Sequence, residues 1–552
     1  MRNRMNFLYT YTLLSLVVLT SIVIATNFTN EVKGCWGYAP AVVGENEGAL
    51  SILSVDVREG SGRVFIGGPL LGSDFQGSMS GASVAASIIS GQPLILHDFS
   101  YYLSDIGYNV TINAAGPSGS ALAATLALLK LEGFNCTKHV AMTGMVGLAG
   151  EVLPVGGVKI KASAVRSYGL VHFLVPVGES VEVKGLIVDE VPSIIDAAKH
   201  FGYYLERKSC EVPQRLEASK LVFKSHYEEL LKNLNMVIEK IKVKDNELNS
   251  TLDQYLRDAK LSANNGNYYA AASYVFTALI KAYARYYKEI LTSMSNSSFP
   301  QIVASHIHGM NLTNINDRIR DFVNSTLSEL EHYTTIEPSN CYSNLWSLEA
   351  CAAVYSREYR LKNYLINIKD QLHSNVTLDA LSNLLALARA RAISIELWVN
   401  AVNDMSSNKD APKVNDVVFL AREALQVAYE SAKYALGLIP IRGSMASDIG
   451  DMVDEAYKAM YNRNYAKVIG MSSLIYETSA STLHGFTNAT IVSTTILPEL
   501  MQRDFCNPTP SFIAYNYYTY VNHLLRTDPE SAEALSYSPI FFIHLSEVNS
   551  VG

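Results

Sequence analysis

Glycine crowds the stretch from Gly37 to Gly202 and thins out beyond Pro213, and this change of texture decides most of what the chain can fold into. Frequent glycines suit a chain that turns often between short elements, because glycine alone takes left-handed turns without strain. Two β-rich runs, Leu50 to Val57 and Arg63 to Ile66, flank Glu59-Gly60-Ser61-Gly62, and this predicts a hairpin. Ser78 to Ile89 reads as a helix, Tyr108 to Ala114 as a strand, Ser118 to Glu132 as an Ala/Leu-rich helix and His139 to Thr143 as another strand. The alternation predicts an α/β (α+β) unit over residues 37–207, with its boundary near Arg207 to Gln214.

Residues 213–552 read as a large all-α unit. Helical stretches are expected over Leu216 to Val243, Tyr268 to Leu291, Trp346 to His373, Leu378 to Val402, Val414 to Leu436 and Ala446 to Tyr476. Apolar residues recur there at three- and four-residue spacing, as in Ala270, Tyr274, Ala278 and Ala282. Asn265-Gly266-Asn267-Tyr268 and Asn462-Arg463-Asn464-Tyr465 look like inter-helix turns, and two such turns so far apart fit ordinary helix hairpins better than a repeat array. The stretch Leu378 to Val402 carries Arg389, Arg391 and Glu396, which rules it out as a membrane span.

The first 30 residues have a different character. Arg2 and Arg4 precede an uncharged apolar run from Phe7 to Ala25, which reads as a membrane anchor helix with the bulk of the chain outside the cytoplasm, or as a cleaved signal peptide of a secreted protein. The six cysteines (Cys35, Cys136, Cys210, Cys341, Cys351 and Cys506) are even in number and form no CxxC or Cys/His cluster, so disulfides are expected and a metal site is not. Cys35 and Cys210, which flank the α/β unit, are the first choice for a pair. Glycosylation acceptor triplets begin at Asn27, Asn109, Asn135, Asn249, Asn296, Asn311, Asn324, Asn375 and Asn488, and they matter only to an exported chain. With 17% charged residues and a net charge of -8 there is no basic surface, and nucleic acid is excluded as a partner. Tyrosine is abundant, 33 against 18 Phe, which suits packing with polar tips.

The chemistry lies in one short region. Gly116-Pro117-Ser118-Gly119-Ser120 follows a strand and opens a helix, so Ser118 sits where free backbone N–H groups and the helix dipole favour an oxyanion. A plain helix-capping serine would look the same, and only the downstream residues tip the balance. Ala141-Met142-Thr143-Gly144 and then Gly150-Glu151-Val152-Leu153-Pro154-Val155-Gly156-Gly157-Val158-Lys159-Ile160-Lys161 follow in an ungapped register.

This combination resembles the proteolytic domain of Lon proteases. The resemblance implies a Ser-Lys dyad of Ser118 as nucleophile and Lys161 as general base, with Thr143 beside it and Gly116 and Gly119 shaping the nucleophile loop. It extends more weakly to Gly48-Ala49-Leu50, Gly60-Ser61-Gly62 and Tyr168 to Pro176. The acidic residue usual three positions before the nucleophile is Ala115 here, and the loop ahead of Ser118 is shorter. Residues two apart on a helix point about 200° apart, so only one of Lys159 and Lys161 can face Ser118, and the family's spacing implies that it is Lys161. His97, His139 and His172 are read as structural, and Tyr168 as packing.

No Gly-x-x-x-x-Gly-Lys-(Ser/Thr) phosphate loop occurs, and only about a dozen residues separate the apolar run from the domain, so the AAA+ module of Lon enzymes has no counterpart. The arrangement resembles the ATPase-free, exported Lon-like proteases of archaea. It implies an ATP-independent serine endopeptidase acting without cofactor or metal on peptides or unfolded proteins, in a homo-oligomeric ring. The alternative is a surface-displayed helical binding protein with an inactive Lon-like scaffold.

Overall fold

A computed structural model describes residues 35–44, 47–68, 70–105, 114–136, 138–205, 209–243, 245–295, 311–312, 317–374, 376–439, 444–484 and 490–551. The apolar run from Phe7 to Ala25, the strand expected over Tyr108 to Ala114 except its last residue, and Arg207 at the expected boundary lie outside them. Among the described residues no helix is long and apolar enough to cross a membrane.

The glycine-rich part is mixed α/β, as expected. Its elements are β1 (Cys35–Val43), β2 (Glu47–Glu59), β3 (Val64–Gly67), α1 (Ser73–Ser90), β4 (His97–Asp105), α2 (Ser120–Leu131), β5 (Ala141–Met142), β6 (Met145–Val146), β7 (Val152–Leu153), α3 (Val158–Ser167), β8 (His172–Val175), β9 (Ile187–Glu190) and α4 (Ile194–His200). One seven-stranded sheet runs β3-β4-β2-β1-β5-β8-β9, and β6 pairs with β7 in a separate small hairpin.

The expected hairpin of β2 with β3 is not formed. β2 pairs antiparallel with β1 on one side and β4 on the other, and β3 lies parallel to β4 at the sheet edge. Asp98 explains the detour: its Oδ1 accepts the N–H groups of Ser61 and Arg63, at 2.8 and 3.0 Å, wrapping the glycine turn around the start of β4. Local turn chemistry is satisfied, but by a strand more than thirty residues away.

Beyond α4 the chain is helical: α5 (Gln214–Ser219), α6 (Val222–Lys240), α7 (Asn246–Asn264), α8 (Tyr268–Ser295), the short strand β10 (Asn311–Leu312), α9 (Asp317–Glu331), α10 (Leu345–Gln371), β11 (Val376–Thr377) paired with β10, α11 (Leu378–Ser406), α12 (Val417–Leu438), α13 (Ser444–Tyr461), α14 (Tyr465–His484), α15 (Leu497–Phe505), α16 (Phe512–Leu524), α17 (Pro529–Leu535) and α18 (Tyr537–Val551). The stretch expected as one helix from Ala446 to Tyr476 is two, because Arg463 takes a left-handed φ of 59°. The stretch Leu216 to Val243 is likewise divided, between α5 and α6.

The two parts share one hydrophobic core. Helix α1 lies between α2 and α12 and is buried along nearly its whole length from Phe75 to Ile89. A helix enclosed on all sides needs small residues where neighbours come close, and Gly77, Ser78, Ser80, Gly81, Ala82, Ser83, Ala85 and Ala86 supply them. A Cβ at Gly81 would lie 2.0 Å from the Tyr434 ring, so α12 fits only against glycine there. Three disulfides, Cys35–Cys136, Cys210–Cys506 and Cys341–Cys351, use all six cysteines. The expected pairing of Cys35 with Cys210 is therefore wrong. Cys35 opens β1, which places it beside the turn after α2, whereas Cys210 follows α4 and meets the end of α15.

Candidate active site

The nucleophile segment is held from both sides. Gly116 takes a left-handed φ of 89°, and Gly119 caps α2 without a side-chain hydrogen bond. Ser120 is fully buried; its hydroxyl donates to Pro117 O at 2.7 Å and accepts from Val146 N at 2.9 Å, so it is locked into structure. Ser118 is only half-buried and lies in the turn before α2, which starts at Ser120, two residues later than the start at Ser118 read from sequence. Its carbonyl accepts Gly144 N at 2.9 Å and the Thr143 hydroxyl at 3.2 Å, while Ala121 N donates to Gly144 O at 3.1 Å. The Thr143-Gly144 turn is thereby laced to the start of α2.

Lys161 comes to the same turn from α3. Its Nζ donates to Thr143 Oγ1 at 3.1 Å, and the residue is 3% exposed. Lys159 is exposed on the other side of the helix, as the 200° separation requires. Among the described residues Ser118 Oγ makes no hydrogen bond to Lys161, and the two are joined through Thr143. Burial lowers the Lys161 pKa from 10.5 to about 8, against the opposing pull of the Glu179 carboxylate. Glu179 is fixed by accepting Val155 N with both oxygens, at 3.2 and 3.1 Å.

The segment between Thr143 and Lys161 is gripped by tyrosines of the helical part. Tyr434 donates to Val146 O at 2.7 Å, Tyr476 to Leu148 O at 3.1 Å and Tyr537 to Glu151 Oε1 at 2.7 Å. Glu151 also accepts Ala149 N at 3.1 Å, and burial raises its pKa to about 7. The excess of tyrosine thus serves phenol tips that reach backbone and carboxylate across the interface.

The structure brings Ser118, Thr143, Lys161, Gly116 and Gly119 together, and leaves the histidines apart. His97 bonds Pro93 O, His139 stacks on Trp36 and His172 faces Asp189. Tyr168, read as packing, is instead 41% exposed at the end of α3. Two residues near the site were missed. Glu179 carries no signal in sequence, and Asp74, whose Oδ2 accepts Gly116 N at 2.7 Å, is a first-turn acid of a helix read as starting four residues later.

The sheet backed by helices thus carries a serine at a helix entrance, joined through a threonine hydroxyl to a buried lysine. Residues 52–200 match the Lon protease (S16) C-terminal proteolytic domain, and this part of the chain is a Lon-type protease domain. The chain is 31% identical over 183 residues to the Lon protease of Elusimicrobium minutum (strain Pei191), covering 31% of this chain and 20% of that protein. It is 26% identical over 170 residues to the Lon protease of Bacillus thuringiensis (strain Al Hakam), covering 30% and 20%. With the Lon protease of Azospirillum brasilense identity is 36% over 93 residues, covering 15% and 12%. The chain thus spans a fifth or less of the length of these relatives.

Proposed function

We propose that this chain is a serine endopeptidase with a Ser118–Lys161 dyad, working without ATP on peptides or unfolded proteins outside the cytoplasm. The observation that carries the reading is the buried Lys161 amine, one threonine hydroxyl from the nucleophile turn and with its pKa lowered to about 8. A lysine must lose its proton to act as a base, and an ordinary amine rarely does so near neutrality. Neutral Lys161 takes the Ser118 hydroxyl proton as Oγ bonds to the peptide carbonyl carbon. The C–N bond breaks as the ammonium returns that proton to the leaving amine, and water then hydrolyses the acyl ester through the same amine. The N–H groups of Ser118 and Gly119, which make no hydrogen bond among the described residues, point to the oxyanion site.

Three disulfides support an oxidising compartment, with the run from Phe7 to Ala25 as anchor or export signal. Absence of a phosphate-loop motif from the sequence supports ATP independence, and without ATP-driven unfolding the substrates would be limited to flexible chains unless a partner supplies force. A ring-like homo-oligomer belongs to the same reading and is checked by light scattering.

The decisive experiment is covalent labelling of the full chain by a fluorophosphonate without nucleotide, alongside casein hydrolysis. Wild type should be labelled on Ser118 and should digest casein, and Ser118→Ala should do neither. Undiminished labelling of Ser118→Ala, or an absolute need for ATP, would refute the proposal.

A further inference from the structure

The path of the nucleophile loop is set outside the loop. Ala114 N donates to Leu70 O and Gly72 N to Ala114 O, both at 2.8 Å, forming a short parallel bridge. A third bond, Gly116 N to Asp74 Oδ2 at 2.7 Å, falls two residues before Ser118, at the left-handed glycine where the chain turns toward α2. The two bridge bonds are ordinary backbone pairing. The third uses a carboxylate, and such charge-assisted bonds are shorter and roughly twice as strong as neutral ones.

Asp74 is itself well placed to hold. It sits in the first turn of α1, where the helix dipole favours a negative charge, and its other oxygen accepts Phe75 N at 2.8 Å. The approach depends on Gly72, since a Cβ there would lie 2.5 Å from Asp74 Oδ1 and 3.3 Å from the Ala115 methyl. Behind this turn stands α12 of the helical part: a Cβ at Gly437 would lie 3.1 Å from Ser73 O, and one at Gly77 would lie 3.0 Å from Lys433 O. Two glycine contacts therefore seat the carboxylate-bearing turn directly on a helix far away in sequence.

We propose that Asp74 is a positioning residue for the nucleophile loop, holding from α1 a loop that has Ala115 where a carboxylate of its own would stand, and that α12 fixes where Asp74 sits. The inference rests on Ser118 being the nucleophile. It gives the helical part a role in the reaction: through Gly437, Ser73, Asp74 and Gly116 it determines where Ser118 Oγ is presented. Asp74 does not exchange a proton with substrate.

Four variants of the full chain separate this role from plain helix stabilisation. Asp74→Ala loses the acceptor; Asp74→Ser keeps a helix-start residue too short to reach Gly116; Asp74→Asn keeps an acceptor of the same length. Gly437→Ala presses on Ser73 without touching the loop. Asp74→Ala and Asp74→Ser should lower kcat for a peptide and the rate of fluorophosphonate labelling together, by about 10- to 100-fold, as a displacement of about 1 Å in a reacting group would. KM should change little, and the pH profile should keep its midpoint, because the base is untouched. Asp74→Asn should recover most of the rate, and Gly437→Ala should reduce it at a thermal midpoint still well above the assay temperature.

Wild-type kcat in Asp74→Ser, or no recovery in Asp74→Asn, overturns the proposal. Should Asp74→Ala fail to fold, the Ser and Asn pair still decides. Wild-type kcat in a folded Gly437→Ala overturns the part assigned to α12. Ser118→Ala, run alongside, keeps the two levels apart: if it remains active the nucleophile itself is wrong, and if it is inert while Asp74→Ser is fully active, only the positioning role fails.

Discussion

Replacing Lys161 with methionine should lower kcat/KM by about 10²- to 10⁴-fold, the usual worth of a positioned general base, while making the folded chain more stable at neutral pH. The second effect follows from burial. Lys161 is 3% exposed, and its pKa falls from 10.5 to about 8 on folding because its charged form is desolvated. Between pH 8 and 10.5 the unfolded chain binds a proton that the folded chain does not, so stability rises with pH across that window. Below pH 8 both states are charged and the whole cost of burying the ammonium is present. That cost is about 3 kcal/mol from the drop in pKa, and methionine, of similar length and uncharged, removes it. Thr143 keeps its bond to Ser118 O, so no buried donor is orphaned. Lys159→Met, on the exposed side of α3, should change neither quantity by much. The wild-type rate should rise through about pH 8 and level off above it, following the neutral amine. Chemical denaturation at pH 7 and kinetics from pH 6 to 10 check both arms. A Lys161→Met chain that is active, or that is markedly less stable at pH 7, would contradict the assignment.

What could be read from sequence and what could not follow the distance over which each feature is determined. Ser118, Thr143 and Lys161 lie in one ungapped run, and their spacing carries their meeting almost unaided, since the strand end, the turn and α3 are all local. That only one of Lys159 and Lys161 can face Ser118 follows from helix geometry, and the family's spacing selects Lys161. Asp74 was not legible, because its partner Gly116 is 42 residues away and the sequence reads as a helix only from Ser78, whereas α1 starts at Ser73. The order of the sheet failed for a related reason: Gly60-Ser61-Gly62 signals a turn correctly, but what the turn joins depends on Asp98 and β4. Cysteine parity predicted disulfides, while their connectivity depends on where β1 and α15 end up. Glu151 was visible in its motif, yet its partner Tyr537 is 386 residues further on, and no local pattern reports such a contact.

Stability itself should fall as pH rises from about 4.5 to 8, which is unusual enough to be a sharp test. Four carboxyl groups are buried with too little compensation: Glu151, raised to about 7, Glu358 and Asp504, each raised to about 8, and Glu349, raised well above its ordinary value, with desolvation the first cause in every case. For each, the folded chain holds a proton that the unfolded chain has already released, so the stabilisation is complete below the unfolded value and is lost as pH climbs to the folded one. His226, buried and held near 4, pulls the other way between about pH 4 and 6.5, and His523 does so more weakly. Two imidazoles oppose four acids there, and from pH 6.5 to 8 nothing in this set opposes Glu358 and Asp504. On the acid side Asp98, Glu217, Glu329 and Glu455, whose pKa values are lowered, lose their contribution below about pH 4. Above pH 8 Lys161 begins to restore stability. The thermal midpoint should therefore peak near pH 4.5 to 5, reach a minimum near pH 8 and turn upward beyond it. Glu358 is the best single probe, because Oε1 has no hydrogen-bond partner among the described residues, Glu337 adds to its burial in raising it, and only Lys467 offers a counter-charge. Glu358→Gln should flatten the descent, gaining up to about 5 kcal/mol at pH 8 relative to wild type and little at pH 4.5. Calorimetry from pH 3 to 10 decides it, and a wild-type midpoint that is level or rising between pH 6.5 and 8 would show that these acids are not held protonated in the fold. The dyad would then be at its most reactive where the fold is weakest, so activity measured against pH at high temperature should peak below the value that Lys161 alone dictates.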